Sequence, residues 1–247
     1  MKITVETGSL RPWLDKINGL MPEAAPAIGF VVKDGFLRLA ASIEGPAGAI
    51  GLVLAYPQVV ECDEDGEFYL SEPLSQLVKA SRAETLTLSY NKRVSLRGDN
   101  GFKASLAVQA RAPLPVESAE TAARDPIMVG LTVESEALRS LIKISRVMPG
   151  MPPNNLRFIS VHITESDVWG TVQATEVGEV EYVPLAGDIE QAHTEPLTLN
   201  SDYVSRLAML MGERTRITVP ETRPNIIMLS DPDSPDWLVM IAKIIQH

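Results

Sequence analysis

The chain has 247 residues, 45% apolar and 22% charged, enough for one large core or two of ordinary size, and a mainly disordered state is excluded. Its 22 basic and 32 acidic residues leave a net charge of −10, which excludes a protein that coats nucleic acid with its whole surface, because phosphate affinity comes from Lys and Arg. One cysteine, Cys62, and three histidines, His162, His193 and His247, exclude a disulfide framework or a Cys/His zinc cluster within one chain.

In chain order, a short strand is predicted at Ile3-Thr4-Val5, followed by a helix with Leu10, Trp13, Leu14 and Ile17 at helical spacing. A strand follows at Leu37 to Ser42. The glycine-rich run Gly45 to Gly51 has the wrong spacing for a nucleotide-binding loop and reads as a loop leading into a strand. Glu61, Asp63, Glu64, Asp65 and Glu67 do not follow the order of a calcium loop and read as solvated turns. Next come the strand Phe68-Tyr69-Leu70 and a helix carrying Leu74, Leu77 and Val78. Alternation then predicts strands at Thr85–Ser89, Val94–Leu96 and Phe102–Val108, with turns at Asn91-Lys92 and Gly98–Gly101. Arg111 to Pro126 contains three prolines and little apolar periodicity and reads as a linker. Beyond it lie the strand Leu131-Thr132-Val133, a helix with Leu138, Leu141 and Ile142, strands at Ile159–Ile163 and near Val172, and the strand Leu197-Thr198-Leu199. A helix with Val204, Leu207, Ala208 and Met211 and strands at Arg216–Val219, Ile226–Leu229 and Trp237–Ile245 complete the chain.

The central strand residues Thr4, Tyr69, Thr132 and Thr198 stand 65, 63 and 66 positions apart, so one unit of the form β-α-β-β-β occurs four times. Two units make one α+β domain, which predicts domains at 1–118 and 127–247 joined by a linker at 119–126. The first domain with its 12 basic and 14 acidic residues is nearly balanced, and the excess negative charge lies in the second half.

The helices run against this acidity. Lys79 and Arg82 in the second helix, and Arg139, Lys143 and Arg146 in the third, fall on the polar faces. Lys79 and Lys143 both lie five residues after the first apolar residue of their helices, and Arg82 and Arg146 both lie eight after it. Arg11 and Lys16 border the polar face of the first helix, and Arg206 is on the fourth. Two readings are open: ordinary solvated residues placed where the helix dipole favours them, or a surface that faces phosphate.

The run Leu197-Thr198-Leu199-Asn200-Ser201-Asp202-Tyr203-Val204, then Thr215–Val219, Pro224 and Asp236-Trp237-Leu238-Val239-Met240-Ile241-Ala242-Lys243-Ile244, resembles the last repeat and C-terminal strand of the bacterial beta clamp. Leu37–Ser42 and Val172-Gln173-Ala174-Thr175-Glu176 resemble the strand that ends in Ala-Thr-Asp in clamp domains. The chain therefore resembles the DNA polymerase sliding clamps, the group of the beta clamp and proliferating cell nuclear antigen. The resemblance implies a ring-forming clamp fold that encircles double-stranded DNA and tethers a DNA polymerase, loaded by a clamp-loader ATPase. The bacterial protein has three domains per chain and this sequence has two, so a six-domain ring implies a homotrimer, and a phage- or plasmid-type clamp is one reading. The resemblance also implies a pocket for partner peptides between the domains, built from Leu39, Ser42, Pro113, Leu238, Met240, Ile241 and Ala242. The competing reading of Leu238 and Met240 is a strand core. Ile241-Ala242 replaces the common Pro-Met, and the strands ending at Ser42 and Glu176 lack the usual basic continuation.

Catalysis is not expected. His162 lies in a strand with no Ser/His/Asp motif beside it, Cys62 sits among acidic residues that disfavour a thiolate, and no metal or cofactor motif is present. Two other readings stay open: a monomeric or heteromeric processivity or repair scaffold of the same fold, and a duplicated α+β ligand-binding protein or enzyme. No apolar run approaches the roughly 20 residues of a membrane helix, and MKITVETGSL lacks an export signal, so a soluble, cytoplasmic protein without a membrane partner is expected.

Overall fold

The computed structural model describes residues 1–20, 27–45, 48–70, 74–110, 112–148, 157–173, 181–233 and 236–242. Two compact units divide the chain, Met1–Val116 and Glu117–His247. The first contains β1 (Lys2–Glu6), α1 (Thr7–Leu20), β2 (Ile28–Lys33), β3 (Phe36–Gly45), β4 (Gly48–Ala55), β5 (Val59–Cys62), β6 (Gly66–Leu70), α2 (Leu74–Ser81), β7 (Thr85–Asn91), β8 (Arg93–Gly98) and β9 (Lys103–Ala107). After α3 (Val116–Ala122), the second contains β10 (Ile127–Glu134), α4 (Ser135–Val147), β11 (Phe158–Ile163), β12 (Val168–Gln173), β13 (Glu181–Pro184), β14 (Gly187–Gln191), β15 (His193–Asn200), α5 (Ser201–Leu207), β16 (Arg214–Pro220), β17 (Ile226–Ser230) and β18 (Trp237–Ala242).

The strand pairings repeat with the strand number shifted by nine. In the first unit the antiparallel orders are β5-β1-β7-β8-β9 and β4-β3-β2-β6. In the second they are β14-β10-β16-β17-β18 and β13-β12-β11-β15. The fold is α+β; the second and fourth quarters follow the β-α-β-β-β plan, and the first and third add one strand to it, β5 and β14.

Burial follows the two periods from which the elements were read. Ile3 and Val5 of β1, Leu86 and Leu88 of β7 and Leu10, Leu14 and Ile17 of α1 are completely buried and meet in one core. Phe30 and Phe68 stack at 5.0 Å in the same core, where aromatic rings supply much of the buried area. In the second unit Leu138 and Leu141 of α4, Val204 of α5, and Leu131, Val161 and Ile217 of the sheets are likewise completely buried.

The helix starts repeat too. Thr7 N donates to Glu84 O at 2.9 Å in the first unit, and Ser135 N donates to Glu213 O at 2.9 Å in the second. These bonds satisfy first-turn N–H groups that a helix cannot satisfy itself. In the last turns, the hydroxyl of Ser81 donates to Val78 O and that of Ser145 to Ile142 O, both at 2.7 Å.

Several expectations need correction. The segment 119–126, expected to be a linker, overlaps α3, whose Val116, Ala119 and Ala122 are buried on one side. Small residues at i, i+3 and i+6 form a stripe that is easily overlooked among Glu117, Ser118 and Glu120. Arg223 Nη1 donates to Ser118 O at 2.9 Å and Ser118 Oγ at 2.7 Å, and Glu221 N donates to Pro126 O at 2.8 Å, so the segment is held against the β16–β17 turn. Glu61, read as part of a turn, lies in β5, which pairs with β1 through Thr4↔Glu61. β14 is a further edge strand, charged and largely exposed in keeping with its position. The fourth helix ends at Leu207, and Leu210 and Met211 are buried from the turns after it. Ala174-Thr175-Glu176, Arg111 and the end of the C-terminal strand beyond Ala242 lie outside the described residues. Among the described residues no helix is long and apolar enough to cross a membrane.

Candidate nucleic-acid interface

In the first unit α1 and α2 lie side by side, tied by Asn18 Nδ2 donating to Ser75 Oγ at 2.9 Å. Thr7 Oγ1, at the start of α1, donates to Ala83 O at 2.7 Å, just past the end of α2. This bond brings the first turn of α1 to the last turn of α2, where Arg11, Lys79 and Arg82 line an open cleft of about 610 Å³. Arg11 pairs at 3.5 Å with the exposed carboxylate of Asp15, four residues on, a surface contact of small energetic weight. Lys79 and Arg82 are exposed, and neither has an ion-pair or hydrogen-bond partner among the described residues. Lys16 is separate from this cluster, its ammonium 4.4 Å from the ring centre of Trp13.

Arg82 has an unusual backbone. Its φ of 51° places it in the left-handed region immediately after the last helical residue, where glycine is the common occupant. A side chain there costs on the order of 1 kcal/mol. Asn100 Nδ2 caps Ser81 O at 2.7 Å, so the end of α2 is fixed by a neighbour and does not depend on the Arg82 side chain.

The matching residues of the second unit are bonded within the protein. Arg139 Nη2 donates to Met211 O at 2.6 Å and Gly212 O at 3.2 Å. Arg146 Nη2 donates to Ser205 Oγ at 2.9 Å, joining α4 to α5. Lys143 stands 3.4 Å from Glu136 Oε1 with its side chain 72% exposed, leaving its ammonium largely in solvent. Arg206 is half-buried on α5. Arg139 and Arg146 thus carry structural bonds that helical spacing alone does not reveal.

The residues assigned to a partner pocket divide by strand alternation. Leu39 on β3 is completely buried in the core of the first unit with Leu14 and Phe30, so no partner side chain reaches it, and its assignment is corrected. Ser42 is buried on the other face of β3, and Pro113 is exposed before α3. On β18, Val239 and Ile241 stand opposite Leu229 and Ile227, and all four are buried. Leu238, Met240 and Ala242 occupy the other face, at 7% exposure, half-buried and exposed respectively. Ile241 is therefore corrected to a core position, whereas Met240 and Ala242 present accessible surface.

His162 Nε2 lies 3.0 Å from Thr171 Oγ1, the ring stacks on Trp169 at 5.0 Å, and burial holds its pKa below the ordinary value. Arg216 donates from Nε to Glu190 Oε1 at 2.8 Å and from Nη2 to Oε2 at 2.5 Å. This pairing keeps the Glu190 carboxyl below the usual range and raises the guanidinium. The pair clamps β14 to β16 through their common neighbour β10. Cys62 is a half-buried free thiol, and among the described residues no group of three His, Cys, Asp or Glu could hold a metal ion.

No protein-family model matches the chain, nor does any curated protein sequence. Solved structures do match over its whole length. The DNA polymerase III beta subunit of Thermotoga maritima is similar with a TM-score of 0.77 and 16% identity, over 100% of this chain and 66% of that one. The DNA polymerase III subunit beta of Pseudomonas aeruginosa gives 0.76 and 12%, over 99% and 66%, and the pol III beta of Caulobacter crescentus gives 0.72 and 16%, over 100% and 66%. The chain thus spans about two thirds of the length of the beta subunits it resembles.

Proposed function

From a chain that carries the DNA polymerase sliding-clamp fold, we propose a sliding clamp that encircles duplex DNA and tethers a DNA polymerase for processive synthesis. The observation that carries this reading is the placement of Arg11, Lys79, Lys143 and Arg206 on helices, and of Arg82 just past the end of α2, in a clamp fold whose net charge is −10. In an unspecialised acidic surface these helices would carry carboxylates as readily as cations. Cations concentrated there give sequence-independent phosphate contacts.

With two units per chain, three copies supply the six units of a ring, and head-to-tail closure removes the exposed sheet edges at each junction. Enclosure allows each phosphate contact to be weak, so the ring moves along DNA without leaving it. The acidic remainder of the surface discourages DNA from binding elsewhere. A clamp-loader ATPase opens the ring, and the loader and the polymerase dock through apolar anchors on the face of β18 that carries Met240 and Ala242. The protein acts in the cytoplasm, as a tether and not as an enzyme.

Retention on DNA tests enclosure. Fluorescent protein loaded on a nicked circular duplex by the clamp-loader ATPase is expected to co-elute with the circle at moderate salt and to be lost when a restriction enzyme linearises it. Equal retention on circular and linear DNA would point to ordinary surface binding and overturn the proposal.

A further inference from the structure

The sheet β5-β1-β7-β8-β9 packs one face on the core that holds α1 and α2, and its other face is outward. On the β8–β9 hairpin Val94, Leu96 and Leu106 enter that core, and alternation puts Arg93, Ser95, Arg97, Lys103 and Ser105 on the outward face. Arg93, Arg97 and Lys103 are exposed, and none has an ion-pair or hydrogen-bond partner among the described residues. The two strands carry no carboxylate. Arg97 is directly opposite Lys103, and like charges so placed weaken a sheet. The second unit treats its cations differently: Arg214 and Arg216, on the outward face of β16, are each joined to a carboxylate of β14. Ser230 and Leu238 match Arg97 and Lys103 in register, and Met228 and Met240 match Ser95 and Ser105. The same face of the repeat is therefore largely apolar in one unit and cationic in the other.

We propose that the outward face of the β8–β9 hairpin is a docking surface for a short, extended, carboxylate-rich segment of a partner protein. Arg93 and Arg97 share one strand and one face, roughly 13 Å apart along it, and an extended peptide presents alternate side chains at the same period. Each guanidinium can take a carboxylate through two parallel bonds, the Lys103 ammonium adds a third charge, and the exposed Ser105 hydroxyl is a further donor. No aromatic side chain lies on either strand, so bases have nothing to stack on, which disfavours single-stranded nucleic acid. A long polyanion would also meet the surface of a chain with net charge −10, whereas a short acidic segment needs only these cations. The surface lies across the sheet from α1 and α2 and is independent of the proposed DNA contacts.

The probe is a fluorescein-labelled oligoglutamate peptide, whose anisotropy is followed with the full chain as salt is raised, beside oligoglutamine and oligothymidylate of equal length. Wild-type protein is expected to bind oligoglutamate at low salt, to release it as salt rises, and to leave oligoglutamine unbound. Lys103→Glu places a carboxylate opposite Arg97. It is expected to weaken oligoglutamate binding by about tenfold while leaving the melting temperature unchanged or raised. Lys103→Gln, which removes the charge alone, is expected to weaken binding less. Absence of binding by wild-type protein at low salt, or equal binding by Lys103→Glu, would overturn the proposal. So would a lower melting temperature for both variants, which would give Lys103 a role in the fold. Tighter binding of oligothymidylate with the same dependence on Lys103 would make this a nucleic-acid face instead. A lower solution mass for Lys103→Glu than for the wild type would assign the cations to a contact between copies, and would overturn the proposal as well.

Discussion

Gly170→Ala is expected to destabilise the second unit by about 1–3 kcal/mol, because a methyl group at this position has no room. A Cβ there would stand 2.4 Å from Leu141 Cδ2 and 3.2 Å from its Cγ. Leu141 is completely buried on α4 and cannot swing into solvent, so either the helix moves away from β12 or the side chain leaves its rotamer. Leu141→Ala alone removes the obstructing atoms and leaves a cavity, at a cost of about 2–5 kcal/mol. In the double variant the new methyl group occupies part of that cavity, so the combined loss is expected to be smaller than the sum of the two single losses. Denaturant unfolding of the four proteins measures the cycle, and simple additivity would show that Gly170 acts through something other than Leu141. The result bears on function because α4 carries Lys143 and Arg146: close approach of helix to sheet sets where that basic face stands.

The second large effect concerns β18. Met240→Asp is expected to abolish stimulation of the polymerase on a primed circle while leaving the assembly and its melting temperature near those of the wild type. Met240 is half-buried and on the same face as exposed Ala242, so a carboxylate there keeps access to water while repelling an apolar anchor. Its neighbour Val239 is completely buried opposite Leu229, and Val239→Asp is expected to unfold the unit, since a charge there has no water and no partner. Unfolding by both substitutions would assign Met240 to the core and remove it from the docking surface.

These two cases show where the sequence was legible. The apolar spacing in α1 and α4 and the regular distance between Thr4, Tyr69, Thr132 and Thr198 reveal the repeat, because helix and strand periods are imposed by backbone geometry. β5 and β14 are harder to see: an edge strand with one neighbour can carry Glu61, Asp188 and Glu190 without burying them. The α3 stripe of Val116, Ala119 and Ala122 is too small to stand out. The Asp34-Gly35 pair, with φ of 52° and 78° between β2 and β3, is a hairpin signal present in the sequence that locates both strands.

The interface residues were legible as a pattern and not as roles. Helical spacing places Arg82 and Arg146 at matching positions and both are exposed, but only the contacts show that Arg146 also bonds Ser205. The same limit applies to Leu39 and Ile241, where strand alternation identifies two faces without saying which one meets the helices. Thr7 escaped notice because its bond to Ala83 spans 76 positions of sequence, and a threonine at a helix start gives no sign of so distant a partner.

The central claim is a closed ring of this chain, and its solution mass tests that most directly. Light scattering over a concentration series is expected to give about three times the 26.9 kDa chain mass, stable on dilution through the micromolar range. A mass of one chain at every concentration would contradict the enclosing ring and with it the proposed mode of action.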